Sequence, residues 1–271
     1  MRLSTPPLVT GEVHVWIAPA AHERIFDVCR ELLSDEDQTD IARLVLERDR
    51  RIATVSRGLR RLLLAGYLEK RPGSLRFSKG EHGKPVLVNS SSVRFSTSHA
   101  GDLVAIAIAR KREVGIDIEA IRTRRGRSAV AMHFLSHVER RRLEALARER
   151  RDAAFHRCWV QKEAFVKLVG AGLQIPLDAF DVEVNPERPP GLRGNRLAAA
   201  SAKPCVITEM SLQVGYVGML AVFGPTPVVR EFSVTPLYFM ASLAMASFAT
   251  GRHRRRRFQT ASPDPPAAWR L

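Results

Sequence analysis

The stretch VGIDIE, from Val114 to Glu119, alternates apolar and polar side chains. An alternation with a period of two predicts a β-strand with one buried face. Asp117 and Glu119 then project from the same side of the strand. Two carboxylates this close repel each other unless a positive group lies between them, and Mg²⁺ is a hard cation that suits oxygen ligands. The stretch therefore predicts a strand with a metal-binding acid pair, and a solvent-facing strand edge is the alternative.

A second polar motif, WVQKEAFVK, runs from Trp159 to Lys167. In a helix, steps of four residues place Trp159, Glu163 and Lys167 on one face. Such a helix could bring a third carboxylate and a lysine to the acid pair. Alternatively, Glu163 and Lys167 form only an ion pair along the helix, and both roles could coexist.

The composition limits the class of protein. With 271 residues, of which 45% are hydrophobic and 26% charged, the chain can bury a core as one large domain or two modest ones. Its three cysteines lie far apart without a CxxC pair, which argues against a zinc site or a disulfide framework and fits a reducing cytosol. The N-terminus lacks the apolar core of a signal peptide. We therefore expect a cytoplasmic protein.

The net charge of +15 is the unusual feature of the composition. It is compatible with solvated arginine-rich faces, with nucleic-acid binding, or with an acidic protein partner. Nucleic-acid binding is not expected, since the sequence has no aromatic-basic interleaving and no helix-turn-helix signature. Charge alone does not choose between the other two interpretations.

Hydrophobic periodicity and turn residues predict an alternation of strands and helices. In the first half we expect one helix at 22–33, a second that begins after an N-cap at Ser34, and a third at 50–64. Strands are expected at 13–18, 75–77, 85–88, 93–95 and 103–109. A turn is expected at Ser98 and His99. In the second half we expect helices at 128–133, 136–151 and 152–169, strands at 114–119, 180–184, 205–209, 210–214 and 216–222, and a loop at 185–195.

The C-terminal stretch combines an apolar run at 234–249 with a basic cluster at 252–257. A transmembrane helix needs about 20 apolar residues, and this run is shorter and contains Pro236. Attachment to an anionic membrane surface is therefore disfavoured against a packed helix or a poorly ordered extension.

Taken together, these motifs resemble the 4′-phosphopantetheinyl transferases of the surfactin-synthetase-activating type. The resemblance runs from about residue 13 to 222 and depends on the order of several short motifs. These are GKP at 83–85, FSTSHAG at 95–101, GIDIE at 115–119, WVQKEA at 159–164 with GAGL at 170–173, IPLD at 175–178 and GYVGMLAV at 215–222.

The resemblance implies an α+β fold, a pseudo-twofold pair of similar α/β subdomains with the active site at their interface. It divides the chain into an N-terminal subdomain at 11–112, a C-terminal subdomain with the metal site at 113–224, and an extra tail at 225–271. The implied reaction is the Mg²⁺-dependent transfer of the 4′-phosphopantetheine arm of coenzyme A to a serine of an acidic acyl or peptidyl carrier protein. It would release 3′,5′-ADP, and a monomer is expected. A non-catalytic nucleic-acid-binding protein and a degenerate family member that only binds coenzyme A or a carrier are the alternatives.

The resemblance also assigns roles to individual residues. Asp117, Glu119 and Glu163 would bind the metal, and Glu163 and Lys167 would be catalytic. The residue that accepts the serine proton stays open between these two.

Coenzyme A would be bound by Lys84, Ser98, His99 and Lys167. Family members often place basic residues of the early helices against the 3′-phosphate, but residues 34–40 are acidic here. Arg51 is therefore the substitute that we assign to coenzyme A, with Arg57 on the same helix as a second candidate.

Overall fold

The computed structural model describes residues 4–88, 92–121, 134–197 and 203–235. The N-terminal half begins with strand β1 (Glu12–Pro19) and helices α1 (Glu23–Glu31), α2 (Asp35–Ala42) and α3 (Glu47–Tyr67). Four strands follow, namely β2 (Phe77–Lys79), β3 (Pro85–Leu87), β4 (Val93–Ala100) and β5 (Leu103–Arg110).

The C-terminal half begins with β6 (Val114–Ala120) and continues with helices α4 (His137–Glu144) and α5 (Arg148–Val169). Its remaining strands are β7 (Phe180–Val182), β8 (Leu192–Asn195), β9 (Cys205–Glu209) and β10 (Tyr216–Phe223). Strand β11 (Val228–Ser233) returns to the first half and pairs in parallel with β1. The predicted mixed α/β fold in two halves is confirmed.

Each half has its own sheet, in the order β11-β1-β5-β4 and in the order β6-β10-β9. Strand β5 is buried on both faces, and the two faces differ in side-chain size. Ile106 and Ile108 face the helical core of the first half, whereas Ala105 and Ala107 join a second core that also contains Ile116 of β6. Small side chains on this face let the second half approach closely, because little volume separates the two backbones.

Strands β4 and β6 lie side by side at the boundary between the two sheets. Two serine hydroxyls of β4 bridge to backbone amides of β6. The Ile116 amide donates to Ser96 Oγ at 3.2 Å, and the Ile118 amide donates to Ser98 Oγ at 3.2 Å. These bonds satisfy buried β6 amides that face the other half.

Helix α5 packs against the outer face of β6 at Gly115. A Cβ at this position would overlap the carbonyl oxygen of Ala164 and the backbone nitrogen of Leu168. Glycine is therefore required here by the close approach of the helix backbone, which sets the distance between the α5 motif and the β6 acids.

The buried face of α5 carries an ion pair between Lys162 and Glu139 of α4. Their side chains are both 0% exposed, and Lys162 Nζ lies 2.9 Å from Glu139 Oε2. Lys162 also donates to the carbonyl oxygens of Leu177 and Phe180 at 2.6 and 2.7 Å. This lysine of the WVQKEA motif therefore stabilises the fold of the C-terminal half.

Several local predictions were wrong. Ser98 and His99 do not form a turn but lie within β4, because the strand continues through Ala100 before it turns at Gly101. The stretch 210–214 is not a strand, and the loop predicted at 185–195 contains β8. The strand expected at 75–77 lies at Phe77–Lys79, and the second-half helices divide near residue 146 rather than 151.

The predicted tail at 225–271 is only partly described. Residues 228–233 form β11, so the expectation of a separate tail does not hold for them. The predicted helix at 128–133, the basic cluster at 252–257 and nearly all of the apolar run lie outside the described residues. Among the described helices, none combines the length and apolar character needed to cross a membrane.

Replacing Gly115 by alanine is expected to destabilise the protein by about 3 kcal/mol, the upper end of overpacking costs, because the new methyl meets backbone atoms of α5. Gly73→Ala is the matched control, since a Cβ there meets nothing within 4 Å. Urea unfolding of both variants measures the difference. Equal midpoints for the two variants would contradict the close packing at Gly115.

Candidate functional site

A cavity of about 710 Å³ opens between the halves, with walls from α2, α3, β4, β6 and α5. Its volume is typical of small-molecule sites, which span about 300–1,000 Å³. The wall is strongly charged. The basic residues are Arg57, Arg60, Arg61, Arg76, Lys79, His99 and Lys167, and the acidic ones are Asp35, Glu36, Asp37, Asp40, Asp117 and Glu119.

The buried residues Asp117 of β6 and Ser98 of β4 form a cluster with the half-buried Lys167 of α5. Ser98 Oγ lies 2.7 Å from Asp117 Oδ1, and Lys167 Nζ lies 2.7 Å from the same oxygen. Lys167 Nζ also donates to Ser98 Oγ at 3.0 Å. The structure thus brings together three residues singled out from the two sequence motifs and the β4 strand.

The second oxygen of the Asp117 carboxylate has a different environment. Oδ2 is buried and makes no hydrogen bond within the part of the chain that the structure describes. A buried carboxylate oxygen without a partner is costly, so such an atom commonly marks a position where a water molecule or an ion binds. Glu119 lies two residues further along the strand and lines the same cavity.

Glu163 lines a smaller neighbouring cavity of about 320 Å³, and Lys167 lines both cavities. Burial, followed by the negative charge of Asp117, raises the pKa of the Glu163 carboxyl, although Lys167 partly offsets this. Glu163 is therefore a desolvated carboxylate that also lies within the electrostatic influence of Asp117.

The three acids Asp117, Glu119 and Glu163 were predicted to bind a metal. Across the described segments, no three carboxylate, imidazole or thiolate side chains form a ready-made metal cluster. The donor chemistry nevertheless fits a hard cation. Asp117 presents an unpartnered oxygen, and Glu163 is a second carboxylate whose pKa is raised by burial and by the charge of Asp117.

His99 follows Ser98 on β4 and lines the large cavity. Desolvation, followed by the positive charge of Lys167, lowers the pKa of its imidazole. A neutral imidazole near pH 7 keeps one N–H donor, which can bind an anionic oxygen.

The opposite wall of the cavity carries an arginine cluster around Asp37 of α2. Arg61 Nε donates to Asp37 Oδ2 at 2.8 Å, and Arg57 Nη1 donates to Asp37 Oδ1 at 3.3 Å. Arg57 also reaches Asp40 Oδ2 at 3.3 Å. Burial alone would raise the pKa of Asp37, but the hydrogen bonds and charge of Arg61, with the bonds of Ser34, lower it.

Arg60 is the least satisfied member of this cluster. Its side chain is only 9% exposed and lies 3.8 Å from Asp37 Oδ1, while its Nε has no partner among the described residues. The guanidinium lies over the Phe77 ring at 4.2 Å from the centroid. Burial lowers the pKa of Arg60 to about 10, so it stays charged. Sequence reasoning did not single out Arg60 or Arg61, although their spacing from Arg57 places all three on one face of α3.

Two residues assigned to coenzyme A, Arg51 and Lys84, do not line the large cavity. Arg51 donates to the carbonyl oxygens of Ala20 and Ala21 at 2.8 and 3.0 Å and pairs with Glu23, and it is not among the residues that line either cavity. Lys84 lines the smaller cavity, where its Nζ donates to the Val114 carbonyl at 3.1 Å.

Comparison with known proteins identifies the family. The curated 4′-phosphopantetheinyl transferase HetI of Nostoc sp. is 32% identical over 199 residues, which cover 70% of this chain and 83% of HetI. This chain belongs to the 4′-phosphopantetheinyl transferase family. Residues 16–111 match the model of the family's N-terminal domain, and residues 113–217 match that of the 4′-phosphopantetheinyl transferase superfamily. The resemblance inferred from the order of motifs is thereby confirmed, and the chain is an enzyme of the transferase class.

Other relatives of the family match shorter segments. The transferase Sfp of Bacillus subtilis is 32% identical over 142 residues, which cover 52% of this chain and 60% of Sfp. AcpT of Salmonella typhi is 35% identical over 158 residues, 58% of this chain and 69% of AcpT.

Replacing Asp37 by asparagine should destabilise the transferase by about 2–3 kcal/mol at pH 7, because charged hydrogen bonds to Arg61 and Arg57 are lost. The folded-state pKa of Asp37 lies below its ordinary value of 3.8, so its contribution is present above that pH and disappears as the pH falls through the lower value. The difference between wild type and Asp37→Asn should therefore shrink in acid.

The matched control is Asp35→Asn, which removes an exposed acid from the same first turn of α2. Urea unfolding between pH 7 and pH 3 measures both variants. If the two variants show the same loss at every pH, the arginine cluster does not depend on Asp37.

Proposed function

We propose that this enzyme transfers the 4′-phosphopantetheine arm of coenzyme A to a serine of an acidic acyl or peptidyl carrier protein, releases 3′,5′-ADP and requires Mg²⁺. The observation that carries the proposal is the cluster of Asp117 and Lys167 in the wall of a cavity lined by many basic side chains. Phosphoryl transfer requires charge neutralisation around the phosphorus and a group that accepts the hydroxyl proton.

Asp117, Glu119 and Glu163 would hold the Mg²⁺. When bound, the ion would neutralise charge on the pyrophosphate oxygens and on the leaving phosphate. The unpartnered Asp117 Oδ2 supports this assignment, because a cation would satisfy an oxygen that the protein leaves without a donor.

Lys167 and His99 would bind the pyrophosphate. Lys167 Nζ already donates to two oxygens, and a third donor position of the ammonium can reach a phosphate oxygen from the cavity wall. Glu163 is our assignment for the acceptor of the serine proton, since its raised pKa makes it a stronger base than an ordinary carboxylate.

The 3′-phosphate would lie against the arginine cluster. Arg57 and Arg60 line the cavity. The Nε of Arg60, which has no partner among the described residues, could donate a hydrogen bond to a phosphate oxygen. Lys84 would approach coenzyme A from the smaller cavity. The position of Arg51 outside both linings favours Arg60 over the residue assigned from the sequence.

The carrier protein would be attracted by the positive charge of the enzyme. A net charge of +15 raises the rate of encounter with an acidic partner, and this effect weakens with salt. A monomeric and cytoplasmic enzyme stays our expectation, and light scattering tests the first part.

Incubation of an apo acyl carrier protein with the enzyme, coenzyme A and Mg²⁺ should add the mass of one phosphopantetheine arm. Asp117→Ala, confirmed as folded by circular dichroism, and a sample with EDTA should show no gain. Mass spectrometry of the carrier measures the outcome. Equal transfer of the arm in the presence of EDTA would refute the metal requirement. The absence of transfer to several unrelated carriers would refute the proposed reaction.

Arg60→Met should weaken coenzyme A binding about tenfold or more, because it removes a buried guanidinium from the phosphate end of the cavity. Arg51→Met tests the competing assignment on the same helix, and we expect the smaller effect there. Isothermal titration with coenzyme A compares both variants with wild type. A larger loss in Arg51→Met would restore the assignment made from the sequence.

A further inference from the structure

Strand β4 presents two serines to β6, and the two differ in one respect. Ser96 and Ser98 each accept a hydrogen bond from a β6 amide at 3.2 Å, and each is 5% exposed. Ser98 in addition contacts Asp117 and Lys167. Both serines therefore bridge β4 and β6, whereas the contact with Asp117 belongs to Ser98 and not to Ser96.

The hydrogen-bonding capacity of Ser98 is filled by protein groups. A serine hydroxyl has one donor and two acceptor positions. Ser98 Oγ donates to Asp117 Oδ1 at 2.7 Å and accepts from the Ile118 amide at 3.2 Å and from Lys167 Nζ at 3.0 Å. A phosphate oxygen is an acceptor and would need the single donor that Asp117 already occupies.

The same contacts fix the orientation of the Asp117 carboxylate. Oδ1 is held by Ser98 and Lys167, whereas the buried Oδ2 has no partner in the described residues. Rotation of the carboxylate would break both bonds. The hydroxyl thereby helps to keep Oδ2 as the oxygen that is available to a cation.

We propose that Ser98 is a positioning residue that orients Asp117 for the divalent cation and does not itself bind coenzyme A. The proposal rests on the proposed function, because it presupposes a metal at Asp117. It replaces the nucleotide-binding role that the resemblance assigned to Ser98. Groups that orient metal ligands by hydrogen bonding commonly affect metal affinity 10–100-fold.

The test compares Ser98→Ala with Ser96→Ala. Mn²⁺ binding is followed by electron paramagnetic resonance in the presence of saturating coenzyme A, and coenzyme A binding and thermal stability are measured in parallel. We expect Ser98→Ala to weaken Mn²⁺ binding about tenfold with coenzyme A affinity nearly unchanged. Ser96→Ala should retain the Mn²⁺ affinity of wild type, and Ser98→Thr, which keeps the hydroxyl, should restore it.

Four outcomes would overturn the proposal. Weaker coenzyme A binding with unchanged Mn²⁺ affinity in Ser98→Ala would make Ser98 a ligand of the nucleotide. Equal losses in Ser96→Ala and Ser98→Ala would make both serines mere bridges between the strands. A wild-type enzyme that binds no Mn²⁺ would overturn the metal site of the proposed function as well, whereas normal Mn²⁺ binding by wild type and by Ser98→Ala would overturn this proposal alone.

Discussion

The close contact between strands β4 and β6 determines the geometry of the site, because it joins two sheets whose residues must meet around one cavity. Alanines on the inner face of β5 remove side-chain volume between the two sheets, and Gly115 on β6 does the same between β6 and α5. Ser96 and Ser98 then satisfy β6 amides across the boundary. A site assembled in this way depends on the packing of both halves, and its residues cannot move independently.

The two ends of the cavity differ in how their charged side chains are paired. At the α3 end, Arg57, Arg60 and Arg61 surround Asp37, and only Arg57 also reaches Asp40. At the β6 end, Lys167 contacts Asp117 Oδ1, while Asp117 Oδ2 has no partner among the described residues. These two environments support the proposed binding of an anion at the first end and of a cation at the second. A phosphorylated nucleotide with a divalent metal matches that division better than either ligand alone.

The sequence predicted those strands and helices whose hydrophobic periodicity follows from the burial of their own side chains. The alternation in β6 and the spacing of Ile52, Val55 and Leu59 in α3 predicted both elements where they lie. The expectation of one buried face was wrong for β6, because α5 also covers its polar face and buries Asp117. The order of the motifs also predicted the family. Contacts between distant segments could not be predicted in this way. The sequence of α3 does not show whether a charged side chain faces a cavity or a carbonyl oxygen of another segment. Arg51 and Arg60 lie on the same helix, and they are distinguished by the parts of the fold that their side chains contact.

Ser98 and His99 illustrate the same limit. Their polar side chains suggested a turn, since serine commonly competes for backbone hydrogen bonds there. In the fold, the serine hydroxyl bonds to a backbone amide of another strand, so it supports the strand instead of ending it. Strand β11 was missed for a related reason, because its pairing partner, β1, lies at the other end of the chain.

The choice between Glu163 and Lys167 as the proton acceptor follows from their surroundings. Lys167 Nζ donates to a carboxylate at 2.7 Å, so loss of its proton would give up a charged hydrogen bond inside the wall of the cavity. Burial is the larger cause of the raised pKa of Glu163, and the charge of Asp117 is the second. A cation bound at Asp117 would remove the second cause but leave the first. In the proposed reaction, Glu163 would accept the serine proton, while Lys167 keeps its charge for the phosphates.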